Sequence, residues 1–259
     1  MMSIKASKEK NVFFVILLVV TAASVLNWVS YAVPAFLEYI RDDSFEDELY
    51  MADLGGFALA AVIFVLLVIC FRTKRRNLLL PAAALFVIET VFLDGYAAPV
   101  CCAVLCLMAF LQERDERSGL VPAAAVLLYV VMLFFWVVNL IRDAVEAQSD
   151  VLYGESSMGW YYLPAIVLFA TAAIIMGKSI RKKRSAGIKV AAAAYLAGEI
   201  SLMVIMVPIY GLDEVVTDSF VMLGFGLLTW IFCSPAILIS LYLIFRKNGD
   251  AHELKTDTD

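Results

Sequence analysis

The sequence predicts an all-α integral membrane protein, a bundle of about eight transmembrane helices. Three observations predict it. Of the 259 residues, 63% are hydrophobic, against about 45–50% for a soluble domain. The excess is gathered into long continuous runs, which no soluble surface could hide. The hydrophilic segments between the runs alternate in the sign of their charge.

A helix crossing the hydrocarbon core needs about 17–25 apolar residues. Eight runs qualify or nearly so: 12–36, 54–71, 78–93, 96–112, 119–141, 160–177, 188–210 and 219–245. Their continuity argues against barrel strands, which would alternate apolar and polar positions. Lys5, Lys8 and Lys10 precede the first run, as in a secretory signal. Its apolar part runs on from Val12 to Phe36, beyond the roughly 7–15 residues of a signal core, so a retained helix is expected. Cleavage there would leave seven spans. The third and fourth runs are short and joined by "DGY", which suits a tight hairpin or a shallower re-entrant pair. The outer segment 37–53 has spaced apolar residues, Leu37, Ile40, Phe45 and Leu49, that suit an interfacial helix. Pro208 and Pro235 are placed to kink their helices.

Charge sets the orientation. Of the 20 lysines and arginines, all but Arg41 and Arg142 fall on the odd-numbered hydrophilic segments, counting the N-terminus first. Short loops rich in Lys and Arg stay cytoplasmic. Both termini are therefore expected inside a plasma (cytoplasmic) membrane. Fifteen acids lie on the outer segments and eight on the inner ones. Trp28, Tyr31, Tyr96, Trp136, Trp160, Tyr161, Tyr162 and Tyr210 sit where an outer interfacial belt belongs.

Residues 71–89, "FRTKRRNLLLPAAALFVIE", align with 180–199, "IRKKRSAGIKVAAAAYLAGE", once one extra residue is allowed in the second. The basic loop, the alanine cluster and a glutamate then coincide. This predicts two parallel four-helix repeats, since an even number of spans per half runs both halves the same way. Chance similarity between such segments competes with duplication. The division expected is 1–117 for the first four-helix half, 118–245 for the second and 246–259 for a polar cytoplasmic tail.

The two acids left over are Glu89 and Glu199, both inside apolar runs. Glu89 follows Arg76 by 13 residues, about 20 Å of helix. Glu199 follows Lys189 by 10, about 15 Å. At such depth a charged carboxylate costs on the order of 3 kcal/mol or more, and burial favours the protonated, hydrogen-bond-donating form. No intramembrane cation is available to either. The candidate partners are Thr90 beside Glu89, Tyr195 one turn before Glu199, Ser201, Asn27 and Asn139. Ala194 and Gly198 allow close helix approach beside Glu199. Two readings stand: protonated glutamates bonding between helices, or a proton or cation site.

Several classes are excluded. His252, in the tail, is the single histidine, so bis-histidine haem, HExxH zinc hydrolysis and Ser–His catalysis lack their residues. Lysines at loops and helix ends disfavour a Schiff base within the bundle. No GxxxxGK[ST] motif occurs, and nucleic acid is not an expected partner. Cys102 and Cys106 share a helix face, so a thiol relay or soft-metal site is conceivable. Packing is the simpler role for these and for Cys70, Cys101 and Cys233. No metal site or cofactor is expected, and enzymatic activity is a third reading only.

The functional expectation is a transporter or permease-like protein for a small cationic solute or protons, using Glu89 and Glu199, with Tyr195, Thr90, Asn27 and Asn139 as accessory polar groups. The alternative is a non-transporting membrane sensor, scaffold or subunit of a larger complex. The bilayer is the certain partner under either; a protein partner or homo-oligomer fits the second.

Overall fold

Peptide groups in hydrocarbon have no water to bond, so each apolar run satisfies its backbone internally as helix. The computed structural model describes residues 12–41, 47–92, 97–114, 120–150, 162–209 and 231–246. Apart from short turns these residues are helical. In order come α1 (Val12–Arg41), α2 (Asp47–Thr73), a 3-10 turn (Arg76–Leu78), α3 (Leu79–Phe92), α4 (Ala97–Arg114), α5 (Leu120–Asp150), α6 (Leu163–Arg181), α7 (Ser185–Ile209) and α8 (Pro235–Phe245).

Five helices carry a stretch long and apolar enough to cross a bilayer: Val12–Val29, Gly55–Thr73, Leu120–Arg142, Leu163–Arg181 and Ser185–Val204. The chain is a multi-pass membrane protein by that measure, but the expected count of eight is not reproduced. Helix α3 has 14 residues, about 21 Å, short of a core about 30 Å thick. The apolar parts of α4 and α8, Ala97–Gln112 and Pro235–Phe245, are shorter than a span too. The last run is described only from residue 231, and its helix breaks at Ser234. Pro235 causes the break: it disfavours helical backbone at the residue before it and lacks an N–H.

The segment 37–53 does not form a separate interfacial helix. Leu37 and Ile40 continue α1, and Leu49 lies in α2. Extending an existing helix adds one hydrogen bond per residue, whereas a new one must be nucleated. Phe45, Tyr96, Trp160, Tyr161, Tyr210 and the tail beyond Arg246 lie outside the described residues.

The chain divides into two compact units, Met1–Val121 with Phe225–Pro235, and Pro122–Gly224 with Ala236–Asp259. In the first unit α1 packs on α2 and α4, and α3 on α2 and α4. Phe13, Leu17, Ile63, Leu67, Leu79 and Leu105 fill its interior. Gly56 is dictated by α1: a Cβ there would stand 2.7 Å from the Trp28 ring. The Arg76 guanidinium lies 5.7 Å from the Phe14 ring centroid, a cation–π contact that ties the basic turn to α1.

In the second unit the dominant pairing is α6 with α7. Ala165, Phe169, Ala172, Met176 and Ser179 form the buried stripe of α6, at helical spacing. Val167 and Ile174, on its other face, are exposed, as suits a lipid-facing surface. The small residues bring the backbones close, the means by which membrane helices associate.

Both basic turns use the same backbone device. Lys74 has φ 55° and Lys183 φ 51°. Around Lys183 the bonds are those of a Schellman C-cap: Arg184 N–H donates to Ser179 O at 2.9 Å and Lys183 N–H to Ile180 O at 3.1 Å. In the first turn Leu78 N–H (3.1 Å) and the Cys70 thiol (3.3 Å) both donate to Arg75 O.

Candidate functional site

The two acids of the apolar runs sit on equivalent-looking helices, each after an alanine cluster, yet their surroundings differ. Both are buried, Glu89 at 4% exposure and Glu199 at 2%.

Glu199 belongs to a closed polar and aromatic cluster in the second unit. Tyr195, one turn earlier on α7, donates its hydroxyl to Glu199 Oε1. The Tyr195 ring stacks on Tyr129 of α5, centroids 4.3 Å apart and planes within 7°. Phe169 of α6 lies against it, centroids 4.9 Å apart and planes tilted by 30°. Tyr129 Oη and Ser240 Oγ of α8 are 2.7 Å apart. The Ser240 hydroxyl has one proton, and it goes to Ala236 O at 2.6 Å. Tyr129 is therefore the donor to Ser240. Both tyrosine hydroxyls point their protons outward along the chain of bonds, one into a carboxyl and one into a serine oxygen. Gly198 makes this geometry possible, since a Cβ there would come within 2.7 Å of Phe169 Cε1.

Glu89 has no such arrangement. The position one turn earlier on α3 is Leu85, which cannot bond. Thr90, adjacent in sequence, donates its hydroxyl to Phe86 O at 3.0 Å. Among the described residues no hydrogen bond reaches the Glu89 carboxyl, and no cation lies against it. Its ionisable neighbours are thiols: Cys102 of α4 and Cys233, ahead of α8, lie within electrostatic reach. Among the described residues no group of three or more His, Cys, Asp or Glu is placed to hold a metal ion.

Of the residues singled out in the sequence, the structure brings together Glu199 and Tyr195. Thr90 and Asn139 bond their own helices instead. Asn139 donates to Phe135 O at 3.1 Å, and Ser201 donates to Gly198 O at 2.7 Å. Such back-bonding is what short polar side chains do in a helix when water is absent. Tyr129, Ser240 and Phe169 were not singled out by sequence reasoning. The signal was present for two of them: a tyrosine in "VLLYVVM" and a serine in "LISLYL" each need a partner at that depth.

Among the described residues one buried donor is left over. Trp136 Nε1 has no hydrogen-bond partner, although its ring is held by Phe135 at 5.5 Å and Tyr162 at 5.1 Å.

Comparison with protein-family models, with curated proteins and with solved structures finds no match. The site is therefore read from its own chemistry.

Proposed function

We propose that the protein is a transporter or permease-like carrier of protons or a small cationic solute, with membrane-depth carboxyls as the binding groups and both termini on the cytoplasmic side. The observation that carries this reading is the burial of Glu89 and Glu199 with no cation against either among the described residues. An acid at membrane depth is costly to fold around and is characteristic of ion and proton pathways. The acidic outer segments would concentrate cations at the outer mouth.

The repeat supports the same reading. Lys74 and Lys183 fall on aligned positions of the two repeat segments, and each takes a left-handed backbone. We read the two units as the products of a duplication that carried one acid into each.

The test is flux into vesicles reconstituted with the purified protein, followed by an internal pH dye under an imposed potential. Glu89→Gln with Glu199→Gln is expected to abolish proton-linked flux while the protein still inserts. Full flux in that double variant rejects the proposal.

One observation favours the alternative, a non-transporting sensor, scaffold or subunit. The Glu199 cluster is internally bonded and packed, as a purely structural element would be. Under that reading the purified chain carries no flux and co-purifies with a stable partner.

A further inference from the structure

We propose that the two acids are not equivalent: Glu89 is the exchangeable carboxyl of the chain and a modification site for a lipid-soluble carbodiimide, whereas Glu199 is closed off by Tyr195. As a chemical assignment this stands on geometry alone. Where it names the proton as the ligand of Glu89, it rests on the transport reading.

The geometry is a comparison of two helices at one register. At Glu199 the residue four earlier is a tyrosine whose hydroxyl occupies Oε1. That tyrosine cannot swing away, because Tyr129 stacks on one face and Phe169 leans against it. Tyr129 in turn is anchored to Ser240. At Glu89 the residue four earlier is Leu85, Thr90 is turned back to its own helix, and among the described residues none bonds the carboxyl of this 4%-exposed residue. The flanking residues Val87 and Ile88 are exposed apolar side chains, so an apolar reagent dissolved in lipid has a path along this helix. Among the described residues the titratable groups that interact with Glu89 are the Cys102 and Cys233 thiols, and Cys101 and Cys106 interact with Cys102 in turn. Neutral thiols are weak donors and acceptors, which suits a carboxyl that takes up and gives back a proton without being trapped by an ion pair.

The modification itself is balanced. The carboxyl proton moves to one nitrogen of dicyclohexylcarbodiimide, and the carboxylate oxygen bonds to the central carbon, giving an O-acylisourea. An oxygen-to-nitrogen acyl shift then leaves a stable N-acylurea on the glutamate. Nothing is lost and no redox partner is required. The reaction needs a protonated carboxyl that gives up its proton and attacks; at Glu199 the Tyr195 hydroxyl bonded to Oε1 withdraws electron density from the carboxyl and holds it in place, and among the described residues Glu89 carries no such donor.

The experiment uses the full-length protein in vesicles treated with dicyclohexylcarbodiimide, then peptide mass spectrometry comparing residues 79–92 with 185–209. The expected result is adduct at Glu89 and little at Glu199. Two reciprocal variants extend it. Tyr195→Phe is expected to raise labelling at Glu199, and Leu85→Tyr to lower it at Glu89, each by up to about tenfold, the factor set by one net hydrogen bond. Because both acids are read in one molecule, the comparison survives failure of Leu85→Tyr to fold. Equal labelling, labelling at Glu199 alone, or none at Glu89 overturns the assignment. Adduct at Glu89 in a protein without flux would sink the transport reading and leave the exchangeable acid in place.

Discussion

Alanine at position 198 tests how α6 and α7 meet. A Cβ built on Gly198 stands 2.7 Å from Phe169 Cε1, 2.9 Å from Cδ1 and 3.3 Å from Leu168 Cβ. Ordinary carbon contact is about 3.5–4.0 Å, so the ring has to retreat by roughly 0.8 Å. Its retreat is resisted, because Phe169 already leans on Tyr195 at 4.9 Å and both rings are fully buried. Overpacking of this kind costs about 1–3 kcal/mol. Replacing a helical glycine by alanine returns about 1 kcal/mol, so a net loss up to about 2 kcal/mol is expected. Gly177, on α6, is the internal control: its Cβ would meet nothing within 4 Å. Gly177→Ala should therefore be neutral or stabilising by up to about 1 kcal/mol. The assay is unfolding of the detergent-solubilised protein, followed by tryptophan fluorescence with heat or denaturant. Gly198→Ala is expected to unfold earlier than the parent, and Gly198→Ala with Phe169→Leu to recover part of the loss. Identical behaviour of the two alanine variants would refute the close approach of α6 and α7.

Other outcomes follow from the same contacts. Ser240→Ala leaves the Tyr129 hydroxyl buried without an acceptor, costing about 1–3 kcal/mol, whereas Tyr129→Phe removes the donor and costs about 1 kcal/mol. The double variant should be milder than Ser240→Ala alone, and a double-mutant cycle in unfolding free energy checks the order. Lys183→Gly relieves a left-handed backbone that costs a side-chain-bearing residue about 1–2 kcal/mol, so the variant should unfold later than the parent in the same assay. Lys183→Val should unfold earlier than either.

Much of the fold was legible because a bilayer imposes one rule on every apolar run. Helical class followed from continuity. The count of eight is not confirmed: α3 and the apolar part of α4 are shorter than a span, and the last run is described only from residue 231, where Pro235 breaks the helix as its place in the run suggests. The interfacial helix at 37–53 failed because its apolar residues extend α1 and α2. At the site, Tyr195 with Glu199 was legible from a spacing of four within one helix. Tyr129, Ser240 and Phe169 were not, since they reach the cluster from three other helices and no spacing along the chain encodes that meeting. Of the candidate partners, Thr90 and Asn139 bond the carbonyl four residues back in their own helices. Proximity in sequence says nothing about the carbonyl four residues back, which reaches short polar side chains first.

That competition bears on what Glu89 is for. Thr21, Thr73, Thr90, Asn139, Ser179 and Ser240 all donate to the carbonyl four residues back. Polar side chains in these helices are thus largely quieted within their own helix, and association falls to small residues and rings, as at Gly56 and Gly198. A glutamate is too long and too acidic to be quieted in the same way. In the second unit Tyr195 does it instead; in the first unit Leu85 stands where that tyrosine would be. Among the described residues nothing bonds the Glu89 carboxyl, and Glu89→Gln keeps the shape without the acid. If Glu89 had only a structural role, the glutamine variant would be as stable and as active as the parent. If Glu89 exchanges a proton, the variant keeps the parent's stability and loses flux, and that divergence separates a proton site from a packing one.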